Sequence, residues 1–369
     1  MDLEALYRDT GFECKVDFNR KIGEAAEWVK EMAFSIIVKK QRFEMEYIKD
    51  GNLEKAVNKK WCEHVPLVTV ITPIYNRREE IKRAMHSVAR QTFRDFEYIL
   101  VDDGSTEDSD DIVEAFMGEA VFPVMYIKKP NGGVHTARNA AVREARGDLI
   151  CFLDDDDEMF PYTVESFLKA WDSIPSSKRS EYRGVVALCC DQNGVQSGKS
   201  FPENINEMPW PLGMRVCDAT GGEHRDINTA KCLKENLFPE PEGITLVSES
   251  IMWKKLEPQY KEWFINDILF IYHTEGEGYT RAAKKTVQAV KNLNWNTAYK
   301  LNEGNYYITG KKERFIEIAR YAVLESALKK CGTDSNSELV TRKDRILYKI
   351  CMIPAFFLAF GYRKNKMRI

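Results

Sequence analysis

The chain has 369 residues and a mass of 42.7 kDa, with 44% apolar and 30% charged residues. That balance suits one large α/β domain with additions, or two domains, and excludes disorder, collagen and low-complexity repeats as the main state. Lys plus Arg is 54 against 57 for Asp plus Glu, a net charge of −3, so no bulk basic field points to nucleic acid.

Residues 1–64 read as a helical preface. Ile22, Ala26, Val29, Ala33, Ile36 and Ile37 recur at helical spacing, and Asp50-Gly51 stops the run. Such a segment either binds a partner or packs on the main domain. From Leu67 the pattern changes. LVTVIT (67–72) is uncharged and β-branched, the mark of a strand buried on both faces. A helix over 79–91, a strand over 96–101, a helix over 107–117 and a strand over 121–127 follow. A helix over 134–145, a strand over 148–153, a helix over 162–172 and a strand over 184–190 continue the alternation. Short loops between alternating strands and helices imply a mostly parallel sheet. Residues 192–215 are rich in Gly, Pro, Asn and Ser and read as a long loop, and acceptor selection is expected over 192–240. Order returns over 244–257 and 259–274, and the chain after Tyr279 is helical in character.

Nine cysteines are scattered without a CxxC pair, so a structural zinc site is not expected. Cys151 lies in an apolar run, where a thiol behaves as a small hydrophobe. The first residues lack the basic-then-apolar pattern of a signal peptide, and the chain reads as cytoplasmic.

Ligands of an open parallel sheet bind outside the carboxyl ends of its strands. Four polar clusters fall there: Pro73-Ile74-Tyr75-Asn76, Asp102-Asp103-Gly104-Ser105, Asn131-Gly132-Gly133 and Asp154-Asp155-Asp156-Asp157-Glu158. Five consecutive acids behind the apolar run Leu149–Leu153 are costly, at about 1 kcal/mol or more per close pair. A divalent cation relieves that repulsion, and Mg²⁺ or Mn²⁺ suits carboxylate oxygens plus a substrate diphosphate. A solvated acidic turn is the plainer alternative. Asp102-Asp103 either caps the next helix or accepts a ligand N–H, and the two roles are compatible. Tyr75 is either a buried ring or a platform for a base. Gly132-Gly133 taken alone is a turn.

These residues resemble a known family. VTVITPIYNR, YILVDDGSTED and NGGVHTARNAAVREARGDLICFLDDDDEMFP, in this order and spacing, are similar to the nucleotide-sugar half of family-2 glycosyltransferases. Residues 242–281 resemble the acceptor-side segment of bacterial cell-envelope members. The resemblance implies the GT-A fold: a Rossmann-like nucleotide-binding sheet with helices on both faces. An N-terminal helical extension (1–65) and a C-terminal helical region (282–369) would flank the domain over 66–281, split into donor (66–160) and acceptor (161–281) halves.

Residue by residue, the resemblance implies that Pro73 and Tyr75 line the nucleotide pocket and that Asp103 accepts the N–H of a uracil-like base. Gly133 and Arg138 belong to the loop and helix beside the nucleotide. Asp154 and Asp156 are the outer positions of a DxD motif, Asp156 the direct metal ligand and Asp154 nearer the ribose, with Asp155 between them. Family members often carry Glu-Asp before an apolar helix on the acceptor side. Here the pair is Glu249-Ser250, so Glu249 is the general base or the base lies elsewhere. The bland reading of Glu249 is an acid stabilised by a helix N-terminus. His273 matches a position that helps to hold the metal or diphosphate in some relatives; otherwise it is a packed residue. His224 is a poorer candidate.

The expected activity is inverting transfer of a sugar, assisted by Mn²⁺ or Mg²⁺, from a nucleoside diphosphate donor, UDP above all. The acceptor would be a carbohydrate or lipid-linked oligosaccharide of the cell envelope. The alternatives are a non-catalytic nucleotide-sugar-binding module and a sugar nucleotidyltransferase. Against the latter, PIYNRREE lacks the glycine-rich loop such enzymes place after the first strand.

From Val340 onward the chain carries eight basic residues and one acid, so a basic tail follows an acidic body. Ile350–Phe360 is an apolar run of eleven residues, against about 20 needed to span a bilayer. Basic–apolar–basic at this length suits a segment lying in a membrane interface, so peripheral contact with the inner face of the cell membrane is expected. A helix packed on the body is the alternative.

Overall fold

The computed structural model describes residues 45–61, 64–207, 213–274, 286–303, 310–334 and 342–358. The helix expected over Ile22–Ile37 lies outside them. Described elements run in chain order as β1 (Met45–Asp50), β2 (Leu53–Asn58), β3 (Val68–Ile74), α1 (Glu80–Ala89), β4 (Phe96–Asp102) and α2 (Asp110–Glu119). Then come β5 (Val124–Lys128), α3 (Val134–Glu144), β6 (Leu149–Phe152), β7 (Glu158–Met159), α4 (Thr163–Ser173) and β8 (Tyr182–Asp191). The chain continues through α5 (Gly213–Thr220), β9 (His224–Thr229), α6 (Ala230–Glu235), α7 (Glu249–Leu256) and β10 (Lys261–Tyr272). The helices α8 (Val287–Glu303), α9 (Lys311–Lys330) and α10 (Arg342–Leu358) complete it.

The strands form one sheet in the order β1-β2-β5-β4-β3-β6-β9-β8-β10-β7. β5, β4, β3 and β6 are parallel, as the alternation predicts. β9 then inserts antiparallel to both β6 and β8. Residues 45–58, expected as part of a helical preface, are instead a hairpin that extends the sheet antiparallel to β5. The reason lies in the turn and the pairing: Gly51, at φ +59, reverses the chain, and β2 buries Ala56 and Val57 as it pairs with β5, contacts that a helical template misses.

Strand alternation divides the core into two layers. Phe96, Tyr98 and Leu100 of β4 pack with α1, α2 and α4, while Ile99 and Val101 pack on the other face. That second face carries α3, α6 and α7, and also Ala298, Leu301, Ile318 and Tyr321 of α8 and α9. The C-terminal helices therefore share the core of the nucleotide half. The stretch 192–215, expected as loop, contains a short 3-10 turn at Ile205–Glu207 and the start of α5.

Candidate active site

The chain leaves β3 for β4 on one side and reaches β6 on the other, which opens a crevice at the carboxyl ends of β3 and β6. A cleft of about 490 Å³ lies there. It is lined by Pro73, Tyr75, Asp103, Gly133, Arg138, Asp154, Asp155, Asp156 and Glu249. Nine of the ten residues expected from sequence thus share one cavity. His273 is the exception.

Loop geometry explains the convergence. Asn76, at φ +53, accepts hydrogen bonds from the Thr106 and Glu107 N–H groups at 2.8 and 3.2 Å, tying the loop after β3 to the loop after β4. Asp102 accepts the Ser105 N–H at 2.7 Å, so it braces its own turn and does not cap α2, whose N-cap is Ser109. Asp103 is buried and accepts the Gly132 and Gly133 N–H groups at 3.0 and 2.7 Å, with Lys129 paired to it. Its carboxylate therefore shapes the glycine loop as well as facing the cleft. Gly133 has φ +96, and a Cβ there would meet the Thr245 carbonyl oxygen at 2.0 Å. Only glycine admits that approach. Tyr75 is 38% exposed, which removes the buried-ring alternative.

The acids after β6 are held individually. Asp154 lies between Arg138, at 2.8 Å, and Arg225, at 3.0 Å. Burial raises its pKa, but Arg225 and Arg138 outweigh that and keep it below the ordinary value. Asp155 accepts the Tyr75 N–H at 3.3 Å, and burial with neighbouring Asp156 pushes its pKa well above the ordinary value. Asp156 faces Arg77 at 3.4 Å, and its pKa is raised by burial and by Asp154. Asp157 pairs with Arg225 at 2.6 Å, yet burial raises its pKa to about 6. Glu158 holds His273 Nε2 at 3.0 Å, and the His273 N–H donates to Asp157 at 3.2 Å. His273 thus braces the acidic loop through Glu158 and Asp157 and is not among the residues that line the cleft. His224 is likewise packed, stacked on Phe201 at 5.1 Å.

No three His, Cys, Asp or Glu side chains among the described residues converge into a ready metal cage. The donor set still fits a hard divalent cation that takes few protein ligands. Burial and neighbouring carboxylates disfavour the ionised forms of Asp155 and Asp156, a penalty a cation would relieve, and both line the cleft. Asp154, held by two arginines, is the poorer ligand.

Glu249 is the first residue of α7 and is half exposed. Its carboxylate pairs with the buried Arg138 guanidinium, which also holds Asp154. Sequence reasoning missed Arg77, Arg225, Thr245, Leu246 and Gln288. Arg77 follows the β3 loop directly, and a cation three residues after a strand end opposite five acids was a readable signal. Arg225 carries none, because only the insertion of β9 beside β6 brings it to Asp154.

Residues 69–177 match the family model described as Glycosyl transferase family 2. An uncharacterized glycosyltransferase of Rickettsia bellii is 32% identical over 179 residues, covering 47% of this chain and 24% of that protein. The chondroitin synthase of Pasteurella multocida is 34% identical over 187 residues, covering 50% and 19%. The chain thus spans about a quarter or less of those relatives. The crystal structure of S. aureus TarS superposes with a TM-score of 0.50 at 16% identity, covering 80% of this chain and 55% of that one, a likeness of fold alone. With the strand-end motifs, the switch-point cleft and these matches together, residues 69–177 are a family-2 glycosyltransferase region set in a sheet of the GT-A fold.

Proposed function

We propose that this protein transfers a sugar, with inversion, from a UDP-sugar to a hydroxyl of a carbohydrate or lipid-linked acceptor. The observation that carries the reading is the one cleft lined together by Tyr75, Asp103, Gly133, Asp155, Asp156, Arg138 and Glu249. The base would stack on Tyr75, with Asp103 accepting its N–H. Glu249, carboxylate out at the head of α7, takes the acceptor proton as the oxygen attacks the anomeric carbon. Arg77 and Arg138 line the same cleft and would face the departing diphosphate. Mn²⁺ or Mg²⁺ held by Asp156, with Asp155 beside it, would supply charge neutralisation on that leaving group. The test is hydrolysis of UDP-sugars in Mn²⁺ by wild type and Glu249→Gln. A loss of about 10²-fold or more in kcat with unchanged UDP affinity supports the base, whereas a variant that turns over normally moves it elsewhere. Wild-type UDP binding without any turnover favours a binding module.

We also propose that α10 presents the enzyme to an anionic membrane surface. Its inner face is packed: Asp344 and Cys351 are buried and Tyr348 meets Tyr321 at 5.7 Å. Its outer face carries Ile346 and Ile350, 54% and 63% exposed, beside Lys349. No described helix is long and apolar enough to cross a membrane. Substituting Ile346 and Ile350 by Glu should abolish pelleting with phosphatidylserine vesicles at low salt while donor hydrolysis stays intact. Wild type that ignores such vesicles ends the membrane reading.

A further inference from the structure

The wall that leads to Glu249 has no regular structure of its own. Residues 243–248, a turn at Gly243 followed by chain without regular structure, lead into α7, and their backbone groups need partners. Those partners come from one face of α8. Gln288, Asn292 and Asn296 are spaced four apart, so they stack along a single helical stripe. Gln288 Nε2 donates to the Gly243 carbonyl at 2.9 Å and to Asn292 Oδ1 at 3.0 Å. Asn292 Oδ1 accepts the Thr245 N–H at 3.0 Å, and its Nδ2 donates to Thr245 Oγ1 at 3.1 Å. Asn296 Oδ1 accepts the Ser248 N–H at 2.8 Å, while its Nδ2 donates to the Leu246 carbonyl at 2.8 Å.

Three side-chain amides thus replace the edge of a β-ladder. Asn292 and Asn296 are buried, at 2% and 8% exposure, where an unmade hydrogen bond costs most. Ser248 is the N-cap of α7, so the last rung sits one residue before Glu249. On its other side the same wall presses the Thr245 carbonyl against Gly133 of the donor loop, and Gln288 itself lines the cleft.

We propose that Asn292 and Asn296 are positioning residues, which hold the 243–248 wall so that Glu249 stands at a fixed distance from the donor loop. The inference rests on the reading of Glu249 as the base. It makes the helices beyond residue 282, which lie outside the family match, a working part of the site.

The experiment uses the full chain, with Asn296→Ala, Gln288→Ala and Glu249→Gln beside wild type. The half-buried Gln288 is a safe second variant if Asn296→Ala folds poorly. Hydrolysis is followed with whichever of UDP-glucose, UDP-galactose or UDP-N-acetylglucosamine wild type consumes fastest in Mn²⁺. Asn296→Ala should lower kcat about tenfold or more and Gln288→Ala less, with UDP affinity within about threefold of wild type. Amide hydrogen exchange over 243–249 should rise about tenfold in Asn296→Ala while exchange in β3 and β4 stays unchanged. If Glu249→Gln is inactive and Asn296→Ala and Gln288→Ala hydrolyse at the wild-type rate, the positioning role is wrong. If Glu249→Gln turns over normally, the base assignment fails and the ladder loses its link to the reaction. If wild type hydrolyses none of the three donors, exchange decides: unchanged protection over 243–249 in Asn296→Ala overturns the proposal.

Discussion

Replacing Gly133 by alanine tests the contact between the donor loop and the wall opposite. Gly133 sits at φ +96 and ψ 157, a region occupied essentially by glycine alone. An added Cβ would lie 2.0 Å from the Thr245 oxygen and 2.5 Å from its carbonyl carbon. Contacts under 3.0 Å are essentially never seen and ordinary contact begins at 3.4 Å, so the two backbones must part by about 1.0–1.4 Å. Neither partner is a flexible side-chain end. The strained backbone costs roughly 1–3 kcal/mol. In a domain of this size each kcal/mol lowers Tm by about 2–4 °C, so a drop of about 2–12 °C is expected. Separation also weakens the 2.7 Å hydrogen bond from the Gly133 N–H to Asp103, so UDP should bind about tenfold less tightly. Gly132→Ala is the control: its Cβ meets the Thr136 hydroxyl, a side chain that can turn away. Differential scanning fluorimetry and calorimetric titration with UDP read both effects. Gly133→Ala with wild-type Tm and wild-type UDP affinity would refute the packed junction.

Further outcomes follow from the same geometry. Asp156→Asn should raise Tm at pH 7.5 without metal. Its raised pKa means that the ionised form is penalised in the fold, a penalty that appears as pH rises through the usual 3.8 and is complete above the raised value. The gain should therefore shrink as pH is lowered toward 4, and the Mn²⁺-dependent rise in Tm should vanish in the variant. Asp103→Ala should weaken UDP binding about ten- to a hundredfold and leave the partly buried Lys129 without its carboxylate, whereas Asp102→Ala should cost binding much less; equal effects would contradict that division. Arg138→Met breaks a buried pair with Asp154 and Glu249. Because Asp154 keeps Arg225 and Glu249 is half exposed, the loss should sit near the lower end of the usual range, about 3 kcal/mol by urea unfolding.

Much of the donor half was legible because its signals are local. Strands buried on both faces read as uncharged β-branched runs, and polar clusters at their ends mark one edge of a parallel sheet. Predicted and observed strands accordingly agree closely at β3, β4 and β6. The hairpin of β1 and β2 escaped, since its outer strand is exposed along most of its length and carries no core-facing apolar period.

The sequence by itself determined which residues meet in the cleft, from Pro73 to Asp156, because short connections and parallel pairing leave strand ends no other place to go. What the tertiary structure alone decided is how their charges are balanced and what holds the opposite wall. Arg225 reaches Asp154 across 71 residues, Arg138 reaches Glu249 across 111, and Asn296 reaches Ser248 across 48. His273 turned to Glu158 and away from the cleft for the same kind of reason. A lone polar side chain has no period to betray its partner. Its bonds are set by how β9 inserts and α8 packs, which are properties of the assembled core.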